Sequence, residues 1–127
     1  MKYRQPAVAG KFYPATATEL SLQLASFLAE HRPVSFSPKA LIVPHAGYFY
    51  SGAIAATAYR LLNNHEQNYR RVVLLGPSHH IGLDSCALPE DDAFITPLGE
   101  ICIDKEAVLQ LVKMGMAIHS DSAHHWE

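Results

Sequence analysis

The chain has 127 residues, of which 49% are hydrophobic and 17% charged, and its ten basic residues face twelve acidic ones. This length and composition fit one globular domain and exclude a disordered or fibrous protein. A formal net charge of −2 offers no basic surface for nucleic acid or anionic membranes, and no apolar segment is long enough to span a bilayer. Because the first residues also lack the apolar core of a secretory leader, we expect a cytoplasmic protein.

The first periodic segment, residues 18–31, predicts an amphipathic helix. Its apolar side chains recur at helical spacing, and either Thr16 or Thr18 is available as the N-cap. Pro33 ends this helix, because a proline ring does not fit a helix interior.

Two apolar segments predict buried strands on either side of a second helix. Residues 40–43 and residues 72–75 are apolar without alternation, which is typical of strands that are covered on both faces. Residues 50–64 between them favour a helix, with Ser51 as its cap. The order strand, helix, strand predicts a right-handed crossover and a sheet that is at least partly parallel.

The last third of the sequence predicts a hairpin and a third helix. Pro97 and Gly99 stand between two short apolar runs, as expected of a turn joining antiparallel strands. Asp104 precedes a helical pattern as its cap, and Gly115 follows that pattern at the position where helices commonly end. The fold class is therefore α/β, with a mixed sheet.

The two cysteines, Cys86 and Cys102, are too few for a disulfide framework and lack the paired spacing of a zinc site. We expect both to be small buried hydrophobic side chains.

Histidines follow both predicted strands at once, each after a proline. His45 ends the first apolar segment and His79 ends the second, at the carboxyl edge where open parallel sheets carry their sites. Neutral imidazole is a common ligand of zinc, copper and iron, so a metal site is one interpretation of the pair. The alternative is that each histidine only caps a backbone carbonyl at the rim of the sheet.

Several neighbouring side chains have two interpretations. His80 is a general acid or base in one, and faces away from its neighbour in the other. Tyr48 and Tyr50 either donate hydroxyls to a substrate or pack their rings. The terminal residues 122–127, which include two histidines and Glu127, are either functional or frayed.

Four motifs resemble those of the Memo family, also called AmmeMemoRadiSam system protein B, in order and spacing. They are PAVAGKFYP at residues 6–14, VPHAGYFYSG at residues 43–52, LGPSHH at residues 75–80 and TPLGEICID at residues 96–104. The resemblance covers essentially the whole chain. It implies a fold similar to that of class III extradiol dioxygenases, here a partial three-layer αβα arrangement with a mixed, mostly parallel sheet.

The resemblance also implies roles for individual residues. His45 and His79 match the family's two histidine metal ligands, with Fe(II) or copper as the ion, and His80 matches the accompanying active-site histidine. Members of the family are linked to redox activity, to phosphopeptide binding and to a radical-SAM system partner.

The sequence departs from the family in its length, because a family domain is about twice as long and carries its remaining site residues, including a cysteine ligand, in its second half. Cys86 and Cys102 lie in the wrong region to replace that cysteine. We therefore expect residues 1–127 to be the N-terminal part of a single Memo-like domain, with a half-built site and an exposed sheet edge through which it self-associates.

Three functions remain open at the level of sequence. The first is a non-haem, metal-dependent, dioxygenase-like oxidoreductase of unknown small-molecule substrate. The second is a module that binds a peptide or protein without turnover, for which the aromatic residues Tyr48, Phe49 and Tyr50 argue. The third is an inactive fragment.

Overall fold

The computed structural model describes residues 1–29, 36, 38–62 and 69–127. Contacts divide the chain into two compact units, residues 10–76 and residues 1–9 with 77–127. Each unit is a body of its own and is treated separately below.

The described residues form five short strands, four helices and one 3-10 turn. In chain order these are β1 (Tyr3–Arg4), α1 (Ala17–Leu28), α2 (Tyr48–Tyr59), the 3-10 turn (Arg60–Leu62), β2 (Cys86–Leu88), β3 (Ala93–Thr96), β4 (Gly99–Cys102), α3 (Lys105–Lys113), β5 (Ala117–His119) and α4 (Ser122–His125). All strands belong to one unit, and α1 and α2 belong to the other.

The unit of residues 10–76 is built on the packing of α1 against α2. The backbone N–H of Glu19 donates to the Thr16 hydroxyl, which confirms Thr16 as the N-cap of α1. A Cβ at Gly52 would lie 2.5 Å from the Phe27 ring, so glycine is what lets the two helices approach closely here. The predicted end of α1 at His31 and Pro33 lies outside the described residues.

The second helix begins earlier than its sequence indicates. Gly47, not Ser51, is its N-cap, and Ser51 is buried within the helix, where its hydroxyl donates to the Ala46 carbonyl oxygen at 2.8 Å. The cap prediction was wrong because serine is also found inside the first turn of a helix, where its hydroxyl donates to a preceding carbonyl oxygen. The helix passes into the 3-10 turn, and residues 63 and 64 of the predicted helix lie outside the described residues.

Neither of the two long apolar segments forms a strand, so the predicted strand–helix–strand unit is wrong for this chain. In the part of the chain that the structure describes, residues 40–43 and 72–75 have no sheet partner and belong to no helix or strand. Ile42 is 100% exposed, and the side chains of residues 72–75 are 79–83% exposed. An apolar segment becomes a strand only where a neighbour accepts and donates its backbone hydrogen bonds, and among the described residues these segments have none.

The predicted hairpin is confirmed in the other unit. β3 pairs antiparallel with β4 in the register Ala93 to Cys102 and Thr96 to Gly99, and β1 pairs parallel with the other side of β3. A second sheet consists of β2 and β5, which run parallel. Ala93, 1% exposed, lies in the centre of the three-stranded sheet.

The third helix also follows its sequence signals. The Asp104 carboxylate accepts from the backbone N–H of Ala107 at 3.0 Å, and Gly115 has a φ of +69° just after the helix. The N–H of Gly115 and that of Met116 then bond back to the carbonyls of Val112 and Leu111, which satisfies the last turn.

The α/β class and the mixed sheet are confirmed, with two of the three strand pairs of the described residues parallel. The prediction that Cys86 and Cys102 are buried is wrong, since both are exposed and unpaired by a disulfide. None of the helices in the described part of the chain has the length and apolar character needed to cross a bilayer.

Candidate functional site

His79 is held by the carboxylate of Glu127, 48 residues further along the chain. The Glu127 Oε2 atom lies 2.7 Å from His79 Nδ1, and Oε1 accepts from the His79 backbone N–H. These two bonds hold the pKa of the Glu127 carboxyl below its ordinary value, with the His79 side chain as the main cause and His80 as a minor one. The imidazole is thus bonded to Glu127 through Nδ1, and about half of the side chain remains exposed.

Arg4 anchors the backbone that carries this carboxylate. Its Nε donates to the His124 carbonyl oxygen at 2.6 Å and its Nη2 donates to the Glu127 carbonyl oxygen. The guanidinium lies 4.6 Å from the centre of the Phe94 ring, across the β1–β3 pair. Residues 122–125 form α4, and Arg4 ties the backbone of this segment to the sheet. The functional interpretation of the segment stays a prediction.

The bend that presents His79 and His80 is closed by Ser78. The Ser78 hydroxyl donates to the Ile81 carbonyl oxygen at 2.7 Å and accepts from the Ile81 N–H at 3.3 Å. This use of the hydroxyl gives Ser78 a structural role in the turn. His80 is exposed beside it, next to His79 and within electrostatic reach of Glu127.

His45 lies in the other unit, between the apolar residues 40–43 and the start of α2. Its side chain is exposed, and the following residues lead directly into the helix at Tyr48. Of the predicted site residues, the structure brings His79 and His80 together with Glu127, and it describes His45 within its own unit.

The aromatic residues after His45 divide into packed and exposed side chains. The Tyr48 ring packs 5.8 Å from that of Tyr13 and 6.2 Å from that of Phe27, and burial raises the pKa of its phenol. Phe49 and Tyr50 are exposed and meet edge to face, with ring centres 5.1 Å apart. The packing interpretation therefore holds for Tyr48, whereas Tyr50 is accessible.

A shallow cavity of about 210 Å³ opens beside these rings within the same unit. Its walls are Gly10, Lys11, Phe12, Tyr13, Pro14, Gln23, Tyr48 and Phe49. The side-chain oxygen of Gln23 is buried in this region without a hydrogen-bond partner among the described residues. This volume is below the usual range for a whole small-molecule ligand and suits a single side chain.

Comparisons with known proteins give this arrangement a context. The sequence profile of the family described as Memo-like protein matches residues 4–127. The chain is 37% identical to Protein MEMO1 of Danio rerio over 129 residues, which cover 98% of this chain and 43% of the relative. It is 36% identical to Protein MEMO1 of Homo sapiens, over 96% of this chain and 42% of the relative.

An archaeal relative is similar to the same degree. A MEMO1 family protein of Thermoplasma volcanium is 35% identical over 122 residues, covering 96% of this chain and 45% of the relative. The chain belongs to the Memo family. It spans less than half the length of each of these relatives.

Membership of the Memo family defines what the site on this chain has to be compared with. Among the described residues no group of three or more His, Cys, Asp or Glu side chains is arranged to hold a metal ion. The side chains of the histidine motifs are imidazoles, whose nitrogens suit iron, copper and zinc alike.

The contact between Glu127 and His79 could not be predicted from the sequence. There Glu127 is only an acidic residue near two histidines, and nothing in its spacing points to a partner 48 residues away. Arg4 was missed for the same reason, because its role depends on the pairing of β1 with β3.

Proposed function

We propose that this Memo family chain supplies two histidine ligands, His45 and His79, to the metal site of a dioxygenase-like redox protein. The observation that carries the proposal is the repeated plan of the two segments. Each is an apolar segment outside any described helix or strand that runs to a proline and then presents an exposed imidazole within two residues. A polar cap on a sheet rim would not explain this, because neither segment belongs to a sheet in the described part of the chain.

Fe(II) or copper is the proposed ion. Neutral imidazole is a normal ligand of both, and such an ion supplies one-electron and oxygen chemistry when bound. His80, exposed beside His79, is the proposed general acid or base, since imidazole exchanges protons near neutral pH. The substrate class is a small molecule that reaches the ion through the exposed side of the imidazoles.

Two histidines alone leave most coordination positions open, so binding by this chain is expected to be weak. The relatives have further residues beyond the matched part, and we propose that the remaining ligands and the class III extradiol dioxygenase-like fold depend on them.

Copper titration followed by electron paramagnetic resonance tests the proposal on the 127-residue chain. We expect one Cu(II) per chain with nitrogen hyperfine structure, and a loss of affinity of roughly tenfold or more in His45→Ala and in His79→Ala, because each removes one of two ligands. His119→Ala is the matched control, since His119 is exposed on β5 and lies outside both motifs. Unchanged stoichiometry and affinity in His45→Ala would refute the proposal, and an anaerobic Fe(II) titration repeats the test for iron.

The aromatic cavity favours a second function, a module that binds a peptide. Its size suits one side chain, and the Gln23 oxygen, which has no hydrogen-bond donor among the described residues, offers an acceptor for a donor on that side chain. Tyr48 and Phe49 contribute aromatic walls, which are common at recognition sites.

A labelled tyrosine-containing peptide, with its alanine counterpart as control, separates the two functions. If the chain is a binding module, affinity for the tyrosine peptide survives a chelator and falls in Gln23→Leu. Affinity that disappears with the chelator would count against the module and for the metal site.

The exposed apolar residues 72–75 are the proposed surface for partners. Residues 72–75 present four exposed apolar side chains and a backbone with no sheet partner among the described residues, which is a template for pairing with another strand. We propose that the chain self-associates through this edge, and that a protein of a radical-SAM system is a further partner of the family site. The cytoplasmic location also stays a prediction.

A further inference from the structure

We infer that Glu127 is a positioning residue for His79: its carboxylate keeps the proton on Nδ1 and so leaves Nε2 as the nitrogen that would bind the proposed ion. This inference rests on the metal site proposed above and adds to it the choice of ligand atom. It also assigns a role to a residue outside the histidine motifs.

The first step is the chemistry of the contact. An ionised carboxylate can only accept hydrogen bonds, so the Nδ1 atom that lies 2.7 Å from Glu127 Oε2 has to be the donor. A neutral imidazole carries one proton. If that proton is on Nδ1, Nε2 is unprotonated and can bind a metal ion.

The second step is the geometry of the two hydrogen bonds between Glu127 and His79. Glu127 uses its two oxygens on two groups of one residue, the ring and the backbone N–H of His79. A single bond would leave the ring free to turn about the contact, whereas this pair fixes the ring relative to its own backbone. Histidines that bind metals in proteins are commonly oriented by a carboxylate on the other ring nitrogen.

The third step is the support of the carboxylate itself. Arg4 bonds the carbonyl oxygens of His124 and Glu127, and it reaches them from β1, which pairs with β3. The position of the carboxylate is thereby defined by the sheet and does not depend on the short helix α4 alone.

His124 provides an internal comparison within the same unit. Its Nε2 lies 3.1 Å from the Ala87 carbonyl oxygen, and a carbonyl also only accepts. The neutral His124 ring is therefore expected to carry its proton on Nε2. The two histidines should show opposite tautomers in one sample.

Nitrogen-15 NMR of the imidazole rings, recorded without metal on the 127-residue chain, tests the inference. At a pH about two units above the ordinary imidazole pKa, we expect His79 protonated on Nδ1 and His124 protonated on Nε2. In Glu127→Gln the tautomer ratio at His79 should move toward Nε2–H by roughly tenfold or more, because a bond to a charged acceptor has been lost. His124 should keep its tautomer.

The inference is overturned if His79 carries its proton on Nε2 in the unaltered chain, or if Glu127→Gln leaves its tautomer ratio unchanged. Should that variant not fold, the spectrum of the unaltered chain decides alone. Copper affinity gives a second readout, with a loss of roughly 10- to 100-fold expected in Glu127→Gln.

The NMR experiment contains no metal, so its failure is distinguishable from failure of the proposed function. If His79 shows the expected tautomer and the chain binds no copper, the metal site is refuted and the hold of Glu127 on His79 stands. If Glu127→Gln binds copper as tightly as the unaltered chain and His79 still carries its proton on Nδ1, the positioning role is refuted and the metal site stands.

Discussion

The hairpin of β3 and β4 and the segment of residues 72–75 are both short and apolar, yet only the hairpin forms a sheet. Ala93 in β3 is 1% exposed, whereas the side chains of residues 72–75 are 79–83% exposed. In the hairpin each strand has its partner only two residues away along the chain, so the two strands satisfy each other's backbone hydrogen bonds. A parallel strand needs a neighbour brought from far along the chain, and residues 72–75 have no neighbour among the described residues.

The largest loss of stability is expected from one substitution in the three-stranded sheet. Ala93→Asp places a charge at a buried position with no partner, which should lower the free energy of unfolding by about 3 kcal/mol or more. Urea unfolding followed by circular dichroism measures it. A loss below 1 kcal/mol would mean that the three-stranded sheet does not carry the stability of its unit.

A smaller loss of stability is expected from a substitution at the end of α3. Gly115 has a φ of +69°, which costs an L-residue about 1 kcal/mol, so Gly115→Ala should lower the free energy of unfolding by that amount. Gly82→Ala is the matched control, because Gly82 has open space around it and no positive φ. Equal effects of the two substitutions would contradict the predicted role of the helix end.

Acid should lower the free energy of unfolding of the unit that contains the strands. The Lys2 ammonium lowers the pKa of the Asp121 carboxyl, and the Lys2 backbone N–H, assisted by Lys105, lowers the pKa of Asp92. Because both carboxyls take up protons more readily in the unfolded chain, their contribution is complete above about pH 4 and is lost as pH falls below it. Unfolding curves between about pH 5 and 2 measure the decline, and Asp121→Asn should make it shallower. A decline as steep in this variant would contradict the assignment.

The smallest effect on stability is expected in the unpaired segment. Val73→Asp should change the free energy of unfolding by no more than about 0.5 kcal/mol, since the side chain is already exposed. The same substitution should reduce self-association in analytical ultracentrifugation by placing a charge on the proposed edge. A loss of stability comparable to that of Ala93→Asp would erase the distinction between the two regions.

Most features that depend on neighbouring residues could be predicted from the sequence, and the cap of α2 is the exception. The cap of α1 at Thr16, the hairpin turn, and both ends of α3 at Asp104 and Gly115 follow from signals within a few residues, and the structure has all of them. The α/β class could be predicted as well. The four motifs were sufficient to indicate the family.

Features that depend on distant partners could not be predicted. The apolar residues 72–75 have the composition of a buried strand, but composition does not say whether a neighbouring strand is present. The contact of Glu127 with His79 likewise depends on β1 pairing with β3 and on Arg4 reaching the terminal backbone. The histidine motifs therefore predicted a site, and the structure added the contact of Glu127 with one of these histidines.

Paramagnetic NMR tests most directly whether the two histidine motifs serve one metal ion. Cu(II) added below stoichiometry to the 127-residue chain should broaden the ring signals of His45 and His79 together, and either His45→Ala or His79→Ala should remove most of the broadening at the remaining ring. The proposed shared site would be contradicted if His79 broadens equally in the presence and absence of His45.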